Sequence, residues 1–115
     1  MYHDEIRQYC LSKPHTSESL PFDDQTLVFK VGGKMFAVLA LDEPNLALKA
    51  DPDEVIFRLE HYPEVRPPRH FDKRHWHFVR FENLTNEKLL VEWIDRSYAL
   101  IVESLPKKIR KELNI

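Results

Sequence analysis

Residues 26–41 read TLVFKVGGKMFAVLAL, two runs rich in β-branched and aromatic residues around Gly32-Gly33. These are the only two glycines in the chain. A two-residue turn at positive φ favours glycine, which has no Cβ to clash, and such turns join antiparallel strands. A tight loop here pairs Val31 with Lys34, Phe29 with Phe36 and Leu27 with Val38. By the strand period of two, these side chains share one face. The stretch therefore predicts a β-hairpin.

Working downstream, Asp42-Glu43-Pro44 reads as a turn. NLALKA (45–50) reads as a third strand, with Leu46 and Leu48 opposite Ala47 and Lys49. Asp51-Pro52-Asp53-Glu54 carries the marks of a helix start: an N-cap, proline at the first helical position, and acids at the positive end of the helix. Val55, Ile56 and Leu59 form its expected buried stripe, and Tyr62-Pro63 its end. PEVRPPRHFDK (63–73) has three prolines within residues 63–68, which excludes a helix or a central strand. WHFVRF (76–81) alternates Trp76, Phe78 and Arg80 against His77, Val79 and Phe81, a fourth strand. Thr85 is placed to cap a long helix over residues 86–104, whose apolar face is Leu90, Trp93, Ile94, Tyr98, Ile101 and Val102. Leu105-Pro106 breaks it, and KKIRKEL begins a short basic helix.

Upstream, Asp4 to Lys13 reads as a helix with Ile6, Tyr9 and Cys10 on one face, stopped by Pro14. HTSESLPFDDQ (15–25) reads as a polar loop, with Phe22 expected to plug into the core. The order is helix, three strands, helix, strand, helix, helix. It predicts an α+β fold, one antiparallel sheet packed by helices on one face.

The 115 residues suit a single domain spanning 1–115. With 43% hydrophobic and 31% charged residues, the composition is that of a globular chain. No apolar run reaches membrane-spanning length, and MYHDEIRQYC lacks the basic and apolar regions of a secretory signal. The one cysteine, Cys10, excludes an intrachain disulfide and points to a reducing compartment, the cytoplasm. Net charge is −2, so no global basic field draws in nucleic acid, and any such binding needs a local patch. Charge does change sign along the chain. Residues 42–54 hold five acids and one lysine. Residues 61–80 hold five Lys/Arg, two acids and four of the six histidines, and residues 105–115 four basic residues and one acid.

Three kinds of chemistry are open to these residues. His75-x-His77 with His70 nearby offers imidazoles for zinc, but Lys73 and Arg74 add unfavourable charge and no cysteine joins them. The reading is therefore no metal and no cofactor. For catalysis, Cys10 falls on an apolar helix face as a buried, inert thiol. Ser97 and Ser104 lack the spacing of a triad, and Gly32-Gly33 lacks a phosphate-loop pattern. No enzyme is expected. For nucleic acid, Arg66, Arg69, Lys73, Arg74, His75 and Trp76 supply cations and an aromatic ring, with Lys34 at the hairpin turn.

The segments LVFKVGGKMFAVL, LALKADPDE, KRHWHFV and WIDRSYALIVESLPKKIR, taken in order and spacing, resemble the MmcQ/YjbR-like family of small bacterial domains. The likeness covers nearly the whole chain. It implies a fold similar to the frataxin-like (CyaY-like) α+β sandwich, a "double wing" arrangement, and binding to DNA. The family positions fall on Lys34, Lys49, Lys73, Arg74, His75, Trp76, Ser97, Tyr98 and Leu105 to Lys108. At position 77 the family pattern prefers asparagine, where this chain has His77. The expected DNA-contacting set is Lys34, Lys49, Arg69, Lys73, Arg74, His75 and Trp76, with Lys107, Lys108, Arg110 and Lys111 of the tail. The alternative is a protein- or small-ligand-interaction module.

Overall fold

The computed structural model describes residues 1–115. Helix α1 (His3–Leu11) leads into strands β1 (Thr16–Ser19), β2 (Thr26–Val31), β3 (Lys34–Ala40) and β4 (Asn45–Lys49). Then follow α2 (Pro52–His61), β5 (Val65–Arg66), β6 (Trp76–Arg80), α3 (Glu87–Ser104) and α4 (Lys107–Leu113). The strands form one antiparallel sheet in the order β1-β2-β3-β4-β6-β5. The helices pack on one face of it, as the order of elements predicts.

The hairpin forms around Gly32 (φ 58°) and Gly33 (φ 81°), with Val31 opposite Lys34. Its register then departs from the simple pairing. A bulge between Phe29 and Lys30 makes Phe36 the extra residue, so Phe29 faces Ala37, Val28 faces Val38 and Leu27 faces Leu39. Both Phe36 and Ala37 enter the core as a result. The freed Phe36 carbonyl accepts from the hydroxyl of Ser97, which in turn accepts from Lys49 N–H at 2.9 Å. Ser97, fully buried, thus ties α3 to the bulge and to the end of β4.

Gly32 matters for a second reason. A Cβ there would sit 2.7 and 2.8 Å from the Leu105 δ-carbons and 3.3 Å from Ile109, whereas one at Gly33 meets nothing within 4 Å. The turn is packed against the α3–α4 corner. Gly32→Ala is expected to cost about 2–3 kcal/mol, from left-handed backbone strain plus the clash. Gly33→Ala should cost about 1 kcal/mol, from strain alone. Urea melts of the two variants check the ranking.

The main core joins Leu27, Phe29, Val31, Phe36, Leu39, Leu46, Leu48, Val79 and Phe81 of the sheet to Ile6, Cys10, Leu90, Trp93, Ile94 and Ile101 of the helices. Cys10 is fully buried, and burial pushes its thiol up to about 12. In the native state it should resist alkylation by iodoacetamide at neutral pH, becoming reactive only in denaturant. Mass spectrometry with and without urea reads this directly.

Several expectations are corrected. Residues 16–19 form the edge strand β1 rather than loop. It pairs with β2, and Glu18 is held by Arg7 of α1. Phe22 is 66% exposed and plugs nothing on the core side. On α2, Ile56 points out and Arg58 points in, with exposures of 57% and 6%. The irregular segment contains the two-residue strand β5, and the α3 cap is Asn86, whose side chain accepts from Leu89 N–H at 3.3 Å, not Thr85.

The other face of the sheet is not bare. Val28, Val38, Ala47 and Trp76 form a small second cluster, with Met35, Phe71 and Phe78 packed against it. Phe71 comes from the loop 67–75, which crosses this face and sets its ring 5.0 Å from Trp76.

Candidate nucleic-acid interface

Sheet register decides which of the basic residues meet. Ala37, Leu48 and His77 lie in one row across β3, β4 and β6. One row nearer the hairpin turn, Lys49 faces Trp76, and beyond it Ala50 N–H donates to the His75 carbonyl at 2.9 Å. Lys34, Lys49 and the turn Asp72–His75 therefore share one end of the sheet. The contact of Gly32 with Leu105 and Ile109 brings α4 to that end as well.

The turn is built on Asp72. Its carboxylate accepts from Arg74 N–H at 2.9 Å and bonds His75 Nδ1 at 2.8 Å, while its carbonyl accepts from the N–H groups of His75 and Trp76. The Arg74 N–H, then the His75 ring, holds the carboxyl below its ordinary range. This pins the backbone and leaves the Lys73 and Arg74 side chains exposed. Neither makes an ion pair; of the acids near this end, Asp51, Glu54 and Asp72 are engaged by Arg96, Arg58 or His75, while Asp53, Glu103 and Glu112 are not paired.

The expected set divides. Lys73, Arg74, Lys107, Lys108 and Lys111 are exposed, and Lys49 is half-exposed. Lys34 is exposed but engaged, donating to the Ser104 carbonyl at 3.2 Å, where it also meets the negative end of α3. His75 is 37% exposed and tied to Asp72. Trp76 is 9% exposed within the second cluster, so the indole is a packing residue and leaves the contacting set. Arg110 is half-buried, its Nε enclosed without a partner. Arg69 lies elsewhere, in a groove on the helix-free face.

His75 and His77 do not converge. His77 is fully buried on the helix side, its ring edge-on to Trp93. Its Nε2 lies 3.0 Å from Arg58 Nη1. A guanidinium has no acceptor, so Nε2 must be the accepting, unprotonated nitrogen and the imidazole neutral. Burial first, then the Arg58 charge, lowers its pKa to about 4. Arg58 also lies 4.7 Å over the Trp93 ring and 3.4 Å from Glu54, which bonds Arg96. This buried arginine was missed from sequence. Its signal was its spacing, three residues after Val55 and four after Glu54, which puts it on the inner stripe beside an acid.

No helix is long and apolar enough to cross a membrane. A model of the YjbR family matches residues 11–100. The chain is 31% identical to the uncharacterised protein YbdF of Escherichia coli O157:H7, over 96% of its own length and 93% of that protein's. It is 32% identical to the uncharacterised protein YjbR of Escherichia coli K12, over 95% and 94%. Among solved structures, protein DR2400 of Deinococcus radiodurans, with the family-model domain DUF419, superposes with a TM-score of 0.87 at 36% identity, covering 97% of this chain and 87% of that one. A Pseudomonas syringae protein shares the fold at a TM-score of 0.75 and 24% identity, covering 87% of this chain and 98% of its own. On the family match and these relatives, the chain belongs to the YjbR family.

Proposed function

We propose that this domain is a non-catalytic nucleic-acid-binding module. It grips the phosphate backbone of duplex DNA with the hairpin-turn end of its sheet. One observation carries the reading: Lys49, the Lys73-Arg74 turn and the α4 lysines, far apart in sequence, share that end with Lys34. Contacts of this kind position a protein without reading sequence, so the binding is weak, sequence-tolerant and salt-sensitive. The net charge of −2 keeps it weak.

Binding without catalysis accords with the fate of the nucleophiles. Cys10 is buried with its thiol pushed up, and the Ser97 hydroxyl is committed to the Phe36 carbonyl and Lys49 N–H. The test is the double variant Lys73→Ala/Arg74→Ala, both at exposed positions where folding is unaffected. By fluorescence anisotropy on a duplex oligonucleotide at low salt, it should bind about tenfold or more weaker and show a salt slope smaller by about 2. Unchanged affinity sinks this assignment.

A further inference from the structure

The helix-free face of the sheet holds a groove in two adjoining parts. The larger, about 530 Å³, has apolar Met35, Val38, Phe71 and Phe78 in its lining with Phe22, and the acids Asp23, Asp42 and Glu43 line it too, so an anionic head is accommodated only in the smaller part. The smaller, about 420 Å³, is lined by Asn45, Arg66, Pro67, Arg69, Phe78 and Arg80. Asn45, Arg69 and Phe78 belong to both parts and join them.

We propose that this groove binds a small organic anion with a flat apolar body, its anionic head among Arg66, Arg69 and Arg80 and its body over Phe78 and Phe71. Charge complementarity carries the argument. Arg66 lies across from Phe78, and Arg80 across from Asn45, so the two guanidiniums project from neighbouring strands on the same face. Arg69 joins them from the loop. The smaller part has no acidic residue in its lining, and only Arg80 has an ion-pair partner, Glu82 at 3.2 Å. Three guanidiniums around one recess repel each other unless an anion shares them, and their planar forks suit carboxylate or phosphate oxygens.

Asn45 adds an independent observation. It is 8% exposed, and its Nδ2 donates to Glu43 at 2.8 Å, which fixes Oδ1 as the acceptor. That Oδ1 is buried with no partner, at the junction of the two parts. A buried acceptor left unmet costs stability, so the junction of the two parts holds a polar atom that the protein's own donors do not satisfy.

The test is a ¹⁵N-HSQC titration of the full chain with phenyl phosphate and with 2-naphthoate, beside inorganic phosphate and 2-naphthol. The expected result is saturable binding of at least one aromatic anion with Kd of about 1 mM or tighter. Shifts should be confined to Met35, Val38, Asn45, Arg66, residues 69–71 and residues 78–80. Inorganic phosphate and 2-naphthol should bind about tenfold or more weakly, since each has only half of the recognised chemistry. Phosphate binding over carboxylate, or the reverse, identifies the head group. Arg66→Ala/Arg69→Ala should weaken binding about tenfold or more while leaving the remaining spectrum in place. Lys73→Ala/Arg74→Ala should leave it unchanged, which separates this site from the DNA-binding end. The proposal is overturned by no saturation at about 10 mM of either aromatic anion, by shifts elsewhere, by equal binding of inorganic phosphate, or by an unaffected Arg66/Arg69 double variant.

Discussion

Arg58→Ala should lower the unfolding free energy by about 3–5 kcal/mol, the largest loss expected of any single polar substitution in this chain. The side chain is 6% exposed and meets three groups at once: His77 at 3.0 Å, the Trp93 ring at 4.7 Å and Glu54 at 3.4 Å. Truncation leaves the His77 Nε2 as a buried acceptor with no donor, removes the cation from the indole face and opens a cavity where the aliphatic stem packed. Glu54 retains Arg96, so the loss falls on the inner half of the network. Arg58→Met restores volume but not the donor and should recover only part of the loss. Urea denaturation at pH 7.5 measures both.

The same contact gives the stability of the protein a pH dependence. His77 is neutral in the fold, with a pKa lowered to about 4 from an ordinary 6.5. Between those values the unfolded chain binds the extra proton and the folded one does not, so acid favours unfolding. The stabilisation is complete above pH 6.5 and is lost as pH falls toward 4, amounting to about 3 kcal/mol across the window. Protonation also places a donor on Nε2 against the donor on Arg58. His77→Asn offers the guanidinium an amide oxygen with no proton to gain. It should flatten the dependence between pH 6.5 and 4 while keeping much of the stability at pH 7.5. A curve as steep in His77→Asn as in the parent would assign the acid lability to other groups.

The hairpin, the start of α2 and the long α3 were legible because each carries a local signal: paired glycines, an Asp-Pro-Asp-Glu cap and an apolar helical face. The bulge at Phe29/Lys30 was not, because its cause is tertiary: the Phe36 carbonyl meets Ser97, 61 residues away. β1 escaped because TSES has little strand propensity and exists by pairing with β2. The second apolar layer did leave a trace. The unbroken run MFAVLA in β3 is what a strand covered on both faces looks like, whereas a one-sided strand would alternate. Its cover, Phe71, lies in the proline-rich segment, which has no periodicity to mark a buried ring.

The basic positions were legible as charge, but not as geometry. Lys73 and Arg74 could be named from sequence, yet only sheet register brings them to the end shared by Lys49 and α4. Arg69, five residues before Arg74, goes to a different site on the open face. Arg66 was legible only as one cation of the basic run and Arg80 only as a strand position, because their meeting depends on β5 pairing with β6.

Phosphate binding by the hairpin-turn end is tested most directly by titrating a duplex oligonucleotide at about 50 mM and about 200 mM salt. The expected result is measurable binding at the lower concentration, weakened about tenfold or more at the higher, with a log–log slope between about −2 and −5. Absence of binding at low salt, or binding indifferent to salt, contradicts this role.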